Sequence, residues 1–298
     1  MAYLIQQIAN AVPLAALYAA LAFGYALSLA VTKRADLTYG ALFAFSGQMF
    51  VLFADVGWNS LWLTLPASLA FGIGLALTST ALAGLVGGGF VMKPLAFVSA
   101  NSVIVASLGS LMVLMETASL SSGFRSLWLP HVFDETVMIW PDPLFPVALT
   151  AIQLVNTAVI VLVIIVGYGV LDRSRYGRYW RAVSDDREAA ALCGVNPERV
   201  YVAAYVAASL IAALCGILAA LHYGNMDFGM GLAFGVKVLF IAAIGGQMKP
   251  LFAALGAAGF GFVETMWSAY GPIIWRDFAV FGILVLILVL TRRDKSVP

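Results

Sequence analysis

Two ionisable side chains stand where ionisable side chains are costly. Lys237 lies about two turns into the apolar run GLAFGVKVLFIAAIGGQ (231–247), and Glu264 lies near the end of LFAALGAAGFGFVETMW (251–267). A charge at that depth costs ~2.5–3.5 kcal/mol on insertion scales, so it needs a partner or a purpose. If the two runs form a hairpin, the ammonium and the carboxylate reach similar depth and can neutralise each other as an intramembrane ion pair. Contact with a polar solute is the other chemistry they offer.

A second polar group interrupts VTKRADLTYGALFAFSGQMF (31–50). Asp36 suits a solvated interface, but Ser46 and Gln48 lie about three turns further in. On a regular helix Asp36, Tyr39, Ser46 and Gln48 fall at roughly 0°, 300°, 280° and 120°. Asp36, Tyr39 and Ser46 therefore share one side, the candidate lining of a substrate pathway, whereas Gln48 points toward a neighbouring helix. Other arrangements of reactive residues are weak. His131, Asp134, Glu135 and Asp142 are scattered among tryptophans and prolines (residues 120–146), without the close spacing that a metal site needs. No metal, cofactor or catalytic set is expected, and neither His131 nor His222 belongs to a recognisable nucleophile–base pattern. Cys193 and Cys215 read as ordinary reduced cysteines.

The elements that carry these groups follow from composition. The chain has 298 residues, 62% hydrophobic and only 10% charged, with a mean hydropathy of +0.97. Soluble domains carry roughly a quarter charged residues, so the fold expected is all-α, a polytopic transmembrane helix bundle forming a single domain over residues 1–298. Apolar runs at 11–31, 37–55, 60–86, 98–119, 147–170, 201–222, 231–247, 250–270 and 277–291 give eight or nine spans. The short, glycine-ended run 231–247 is either a broken or re-entrant segment or part of a tight hairpin. Gly256, Gly259 and Gly261 suit close helix packing, and Trp128 and Trp140 suit an interfacial belt. No cleavable signal is read at the N-terminus, where the first charged residue is Lys33. With nine spans and the N-terminus outside, thirteen of the sixteen Lys and Arg residues fall on the cytoplasmic side. The positive-inside bias therefore predicts the N-terminus outside and the C-terminus inside.

One stretch is charged throughout. LDRSRYGRYWRAVSDDREAAALCGVNPERV (171–200) holds six arginines and five acids. Asp185 and Asp186 suit a helix start, Gly194 a helix stop, and Pro197 the chain beyond it. A short capped helix with small residues on one face, parallel to the membrane, is suited to docking on a soluble protein.

This loop resembles the cytoplasmic coupling loop of ABC importer permeases, which carries Glu-Ala-Ala-x-x-x-Gly. SRYGRYWRAVSDDREAAALCGVN is similar to the loop of the branched-chain amino-acid type permease family, with Ser174, Tyr176, Gly177, Arg178, Arg181, Ala182, Ala189, Ala190, Gly194, Val195 and Asn196 in matching order. Lys93-Pro94-Leu95 and GVKVLFIAAIGGQMKPLFAALGAAGFGFVE extend the resemblance along most of the chain. It implies that Arg178, Arg181, Glu188, Ala189, Ala190 and Gly194 couple to an ATPase. It also implies a bacterial inner-membrane permease subunit importing branched-chain or related amino acids. Two ATP-binding subunits, a second permease that is commonly a different chain, and an extracytoplasmic solute-binding protein complete such a system; no nucleic-acid partner is expected. The chain itself contains no Gly-x-x-x-x-Gly-Lys-Ser/Thr phosphate loop and is not expected to be an enzyme. Where the family has an Asn-x-Ala-His-Gly-like element, this chain has Asp36-Leu37-Thr38-Tyr39-Gly40, which leaves urea, short amides and aromatic acids open as solutes. From the residues alone, an ion-coupled secondary transporter using Lys237, Glu264 or Asp36 is the alternative.

Overall fold

The computed structural model describes residues 2–96, 99–130, 135–140, 146–227, 229–245 and 249–291. Its helices are α1 (Ala2–Thr32), α2 (Thr38–Asn59), α3 (Leu65–Val86), α4 (Lys93–Leu95), α5 (Ala100–Ser121), α6 (Ala151–Arg173), α7 (Arg175–Asp185), α8 (Arg187–Leu192), α9 (Pro197–Tyr223), α10 (Met230–Gly245), α11 (Pro250–Tyr270) and α12 (Arg276–Thr291). A π-helical turn over Gly87–Met92 joins α3 to α4 without a break in the rod. In a bilayer every backbone polar group must be satisfied internally, and long apolar helices do that alone.

Among the described residues, seven helices are long and apolar enough to cross a membrane: α1, α2, the α3–α4 rod, α5, α6, α9 and α11. The two remaining expected spans, α10 and α12, are helices of 16 residues each, or about 24 Å. The first turns of α10 pack against the first turns of α2. A Cβ on Gly40 of α2 would collide with the backbone of Gly231 and Gly235, and Gly231 also abuts Ala41 and Ala44. The chain therefore leaves the end of α9, turns back, and starts α10 within the bundle.

Helices α1, α2 and α9 form the centre. Tyr18, Tyr25, Phe23, Phe43 and Phe50 are fully buried there, and α11 packs along α1. Small residues permit the closest approaches. Gly216 of α9 abuts the Phe43 carbonyl and Ser46, and Gly261 of α11 abuts Ala15. By contrast α5 and α6 turn long rows of Val, Leu and Ile outward, which suits lipid or another membrane subunit.

One element breaks the all-helical expectation. Strands β1 (Thr136–Trp140) and β2 (Val147–Thr150) pair antiparallel, Thr136 opposite Thr150 and Met138 opposite Ala148, with an irregularity before Trp140. The start of the expected span 147–170 is thus strand, and α6 begins at Ala151. The Gln6 side chain ties α1 to this hairpin, accepting from the Ala148 N–H and donating to the Ala148 carbonyl, both at 2.9 Å. The hairpin, the N-terminal end of α1 and the C-terminal ends of α9 and α11 accordingly share one face of the bundle. The charged loop lies on the other, where Lys93 meets Glu198 at 3.0 Å.

Candidate functional site

The charged loop folds into two helices, not one. Ser174 caps α7 by accepting from the Gly177 N–H, and Asp186 caps α8 by accepting from the Glu188 and Ala189 N–H groups. The break falls at Asp186, whose backbone is extended (φ −142°, ψ 111°). α8 ends as its sequence requires. Gly194 takes φ +85°, its N–H bonds to the Ala191 carbonyl, and the Val195 N–H bonds to the Ala190 carbonyl, the Schellman pattern. Asn196 then caps α9 with Pro197 in its first turn.

Of the residues assigned to coupling, Arg178, Arg181, Glu188, Ala189 and Gly194 are exposed, whereas Ala190 is buried. Arg181 is tied to Asp172 at 3.5 Å. Beside them Leu192, which the sequence did not single out, is 91% exposed at the end of α8. An apolar side chain thus stands exposed among charges at the end of a capped helix. The loop is held from beneath by Trp180, whose Nε1 donates to the Leu27 carbonyl of α1 at 2.9 Å.

Asp36, Tyr39 and Ser46 lie inside the α1/α2/α9 packing. The Asp36 carboxylate accepts from the Thr38 N–H at 2.8 Å, and the Asp36 N–H donates to the Tyr25 hydroxyl. Burial pushes the Asp36 carboxyl above the ordinary carboxylate range, and the Thr38 hydrogen bonds partly oppose that. The Ser46 hydroxyl lies within hydrogen-bond distance of the Phe43 and Ala213 carbonyls. The Tyr39 ring packs edge-on against Tyr25, and its hydroxyl has no partner among the described residues. Gln48 takes an unexpected position. It lines a small cavity with Ser122, Arg125, Asn225 and Asp227, and its Nε2 has no partner among the described residues.

Lys237 and Glu264 come together across α10 and α11. Lys237 Nζ lies 2.8 Å from Glu264 Oε1, and both residues are buried, 8% and 4% exposed. Two further groups complete the arrangement. Tyr18 donates to Glu264 Oε2 at 2.8 Å, and Asp277 Oδ1 stands 3.8 Å from Lys237 Nζ. The chain of contacts is extended by Arg276, 3.4 Å from Asp277. Above this ion pair, on the hairpin side, a cavity of about 240 Å³ opens between α1, α6, α9, α11 and the start of α12. Asn10, Gln153, Asn156, His222, Glu264 and Arg276 give it a polar lining. Asn156 donates to the Leu218 carbonyl at 2.9 Å, while its own carbonyl oxygen is buried without a partner among the described residues. Sequence reasoning did not single out Asn156, and an asparagine within the apolar run 147–170 is the one weak signal that could have found it. Tyr18, Arg276 and Asp277 gave no signal, because a tyrosine in an apolar run and charges at a span's edge are ordinary. His131, Asp134 and Asp142 lie outside the described residues, and among those described no group of three metal-ligating residues occurs.

The model of the family described as "branched-chain amino acid transport system / permease component" matches residues 7–290. The chain belongs to this family. The chain is similar to the high-affinity branched-chain amino acid transport system permease protein LivH of Salmonella typhimurium, 26% identical over 97% of this chain and 94% of that one. It is also similar to the permease protein BraD of Pseudomonas aeruginosa, 23% identical over 95% and 92%, named for the same kind of system. The autoinducer 2 import system permease protein LsrC of Escherichia coli is 23% identical over 92% of this chain and 75% of that protein. No solved structure matches. A branched-chain-type permease is the membrane-crossing component of a transport system, so this chain is a transport subunit and not itself an enzyme. The seven long apolar helices are those of a multi-pass membrane protein.

Proposed function

We propose that this permease imports a branched-chain or related amino acid across a bacterial inner membrane, with the charged loop as the seat of an ATPase. The observation that carries the coupling reading is the α7–α8 unit. It is capped at each helix start, closed by Gly194, anchored on α1 through Trp180, and presents Leu192, Glu188 and Ala189 outward. A merely solvated loop has no use for that construction. The relatives' names support the solute class.

In this reading Lys93 and the loop arginines face the cytoplasm, the β-hairpin and the N-terminus face outward, and the C-terminus is inside. Two ATP-binding subunits dock on the loops of a permease pair, and an extracytoplasmic solute-binding protein delivers the amino acid to the hairpin face. Asp36, Tyr39 and Ser46 meet the solute only when α2 separates from α9 during the cycle. The test is uptake of labelled leucine into proteoliposomes holding the permease pair, the ATPases and the binding protein. ATP on the ATPase side of the membrane should be required. Uptake driven by an ion gradient in vesicles without the ATPases would overturn the reading.

A further inference from the structure

We infer that the cavity above the Lys237–Glu264 pair is a binding site for a zwitterionic, aliphatic amino acid on its way through the permease; the inference rests on the import reading above. Three features point to that ligand class. The first is size and wall. A cavity of about 240 Å³ has room for several waters or one small solute. Leu14, Leu17, Ile160 and Leu218 give the cavity aliphatic lining as well, which a water cluster alone leaves wetted to no advantage.

The second feature is charge. Lys237, Glu264, Arg276 and Asp277 form a chain of contacts at 2.8, 3.8 and 3.4 Å whose formal charges sum to zero. A singly charged solute brought beside it would unbalance a group of charges that is neutral without it, next to the buried Lys237–Glu264 half of that group. A solute carrying both signs brings none. Glu264 and Arg276 both line the cavity, offering an acceptor for an ammonium group and a guanidinium donor for a carboxylate.

The third feature is the Asn156 carbonyl oxygen, without a partner among the described residues. Asn156 is 7% exposed and its amide nitrogen is already bonded to Leu218. A buried acceptor without a donor has lost its hydration and gained nothing in exchange. An ammonium N–H entering the cavity supplies the missing donor, and the same contact distinguishes an amino acid from the corresponding carboxylic acid.

Ser268, which lines the same cavity, serves as the reporter position. Ser268→Cys is made in a background with Cys193→Ser and Cys215→Ala, and the assembled permease–ATPase complex is labelled with a small hydrophilic thiol reagent in the absence of binding protein. Leucine should slow the reaction, by about twofold at half-saturation, while 4-methylpentanoate and isopentylamine, each with one of leucine's two charges, should not. Adding Asn156→Leu should leave the introduced thiol reactive and remove the protection by leucine. A labelling rate indifferent to leucine, or equal protection by the singly charged analogues, overturns the inference, as does undiminished protection in the Asn156→Leu background. Leucine uptake by the wild-type system is measured alongside. Uptake without protection sinks the cavity site and leaves the import reading standing, whereas absence of uptake strikes that reading itself.

Discussion

Lys237→Met isolates one of the most constrained contacts in the bundle. Glu264 accepts from Lys237 Nζ and from the Tyr18 hydroxyl, each at 2.8 Å, and the substitution leaves Tyr18 alone to compensate a buried carboxylate. Breaking a buried pair by removing one partner costs ~3–5 kcal/mol, because the survivor keeps its desolvation penalty and loses its compensation. Glu264→Gln is milder for two structural reasons. The amide oxygen still accepts from a donor, and Lys237 retains Asp277 at 3.8 Å, although the Asp277 side chain is 62% exposed and such a pair contributes only ~0.2–1 kcal/mol. A loss of ~2–4 kcal/mol is expected there. With Lys237→Met and Glu264→Gln together, no charge is stranded between α10 and α11, and the double variant should lose at least ~2 kcal/mol less than the sum of the singles. The assay is denaturant unfolding of the purified complex in one detergent, for the wild type, both singles and the double. Tyr18→Phe serves as a control that removes a hydrogen bond without moving a charge. Losses that add to within ~0.5 kcal/mol would show that the two groups do not interact and would refute the reasoning.

Gly194→Trp places a bulky side chain at φ +85° on the docking face, so membrane insertion should be normal while transport is lost and ATPase co-purification weakens; transport at the native rate would contradict the coupling role. Gly40→Ala drives a methyl group into the backbone of Gly231 and Gly235, and should lower thermal stability more than Gly74→Ala, where no heavy atom lies within 4 Å of the added carbon. Asp36 has a folded pKa raised by burial, so stability should fall as pH rises from the ordinary value of 3.8 through the raised one; Asp36→Asn, which keeps an acceptor for the Thr38 N–H, should flatten that slope in unfolding measured across pH. Cysteines introduced at positions 39 and 46 should label slowly at rest and faster during ATP turnover, since both positions are buried between α2 and its neighbours; rates unchanged by turnover would keep them out of the pathway.

What the sequence made legible was whatever carries a large energetic signature. Apolar runs long enough to span located seven helices, because in hydrocarbon no other local structure satisfies the backbone. Lys237 and Glu264 stood out because charge at depth demands compensation, and the distance of 2.8 Å between them is the geometry that demand implies. The end of α8 was readable because Gly194 and Pro197 have few other uses in that order. The α7 helix was missed although Gly177, Trp180, Val183 and Ser184 recur at helical spacing on its buried face, and Trp180 reaching α1 holds it in place. The hairpin was missed because four residues of strand preceding a span look like the span itself.

The polar residues of α2 show why a helical wheel alone could not place a pathway. An angular argument assumes that one side of the helix is open, but Thr38 through Val51 are buried without interruption, so every side of that stretch faces protein. Angle then says which residues are neighbours and nothing about which face solute. The cavity beside the ion pair is the converse case. Asn10, Asn156, His222, Glu264 and Arg276 come from five helices, and each alone has an ordinary explanation as a cap, an interface residue or a packed polar group. Their convergence depends on α1 lying between α6 and α11, and on α12 starting beside Lys237. Pairing energies can be inferred from residue types in a line of sequence, because a buried charge announces its cost. A binding volume cannot, because it is set by the space between helices that the sequence lists far apart.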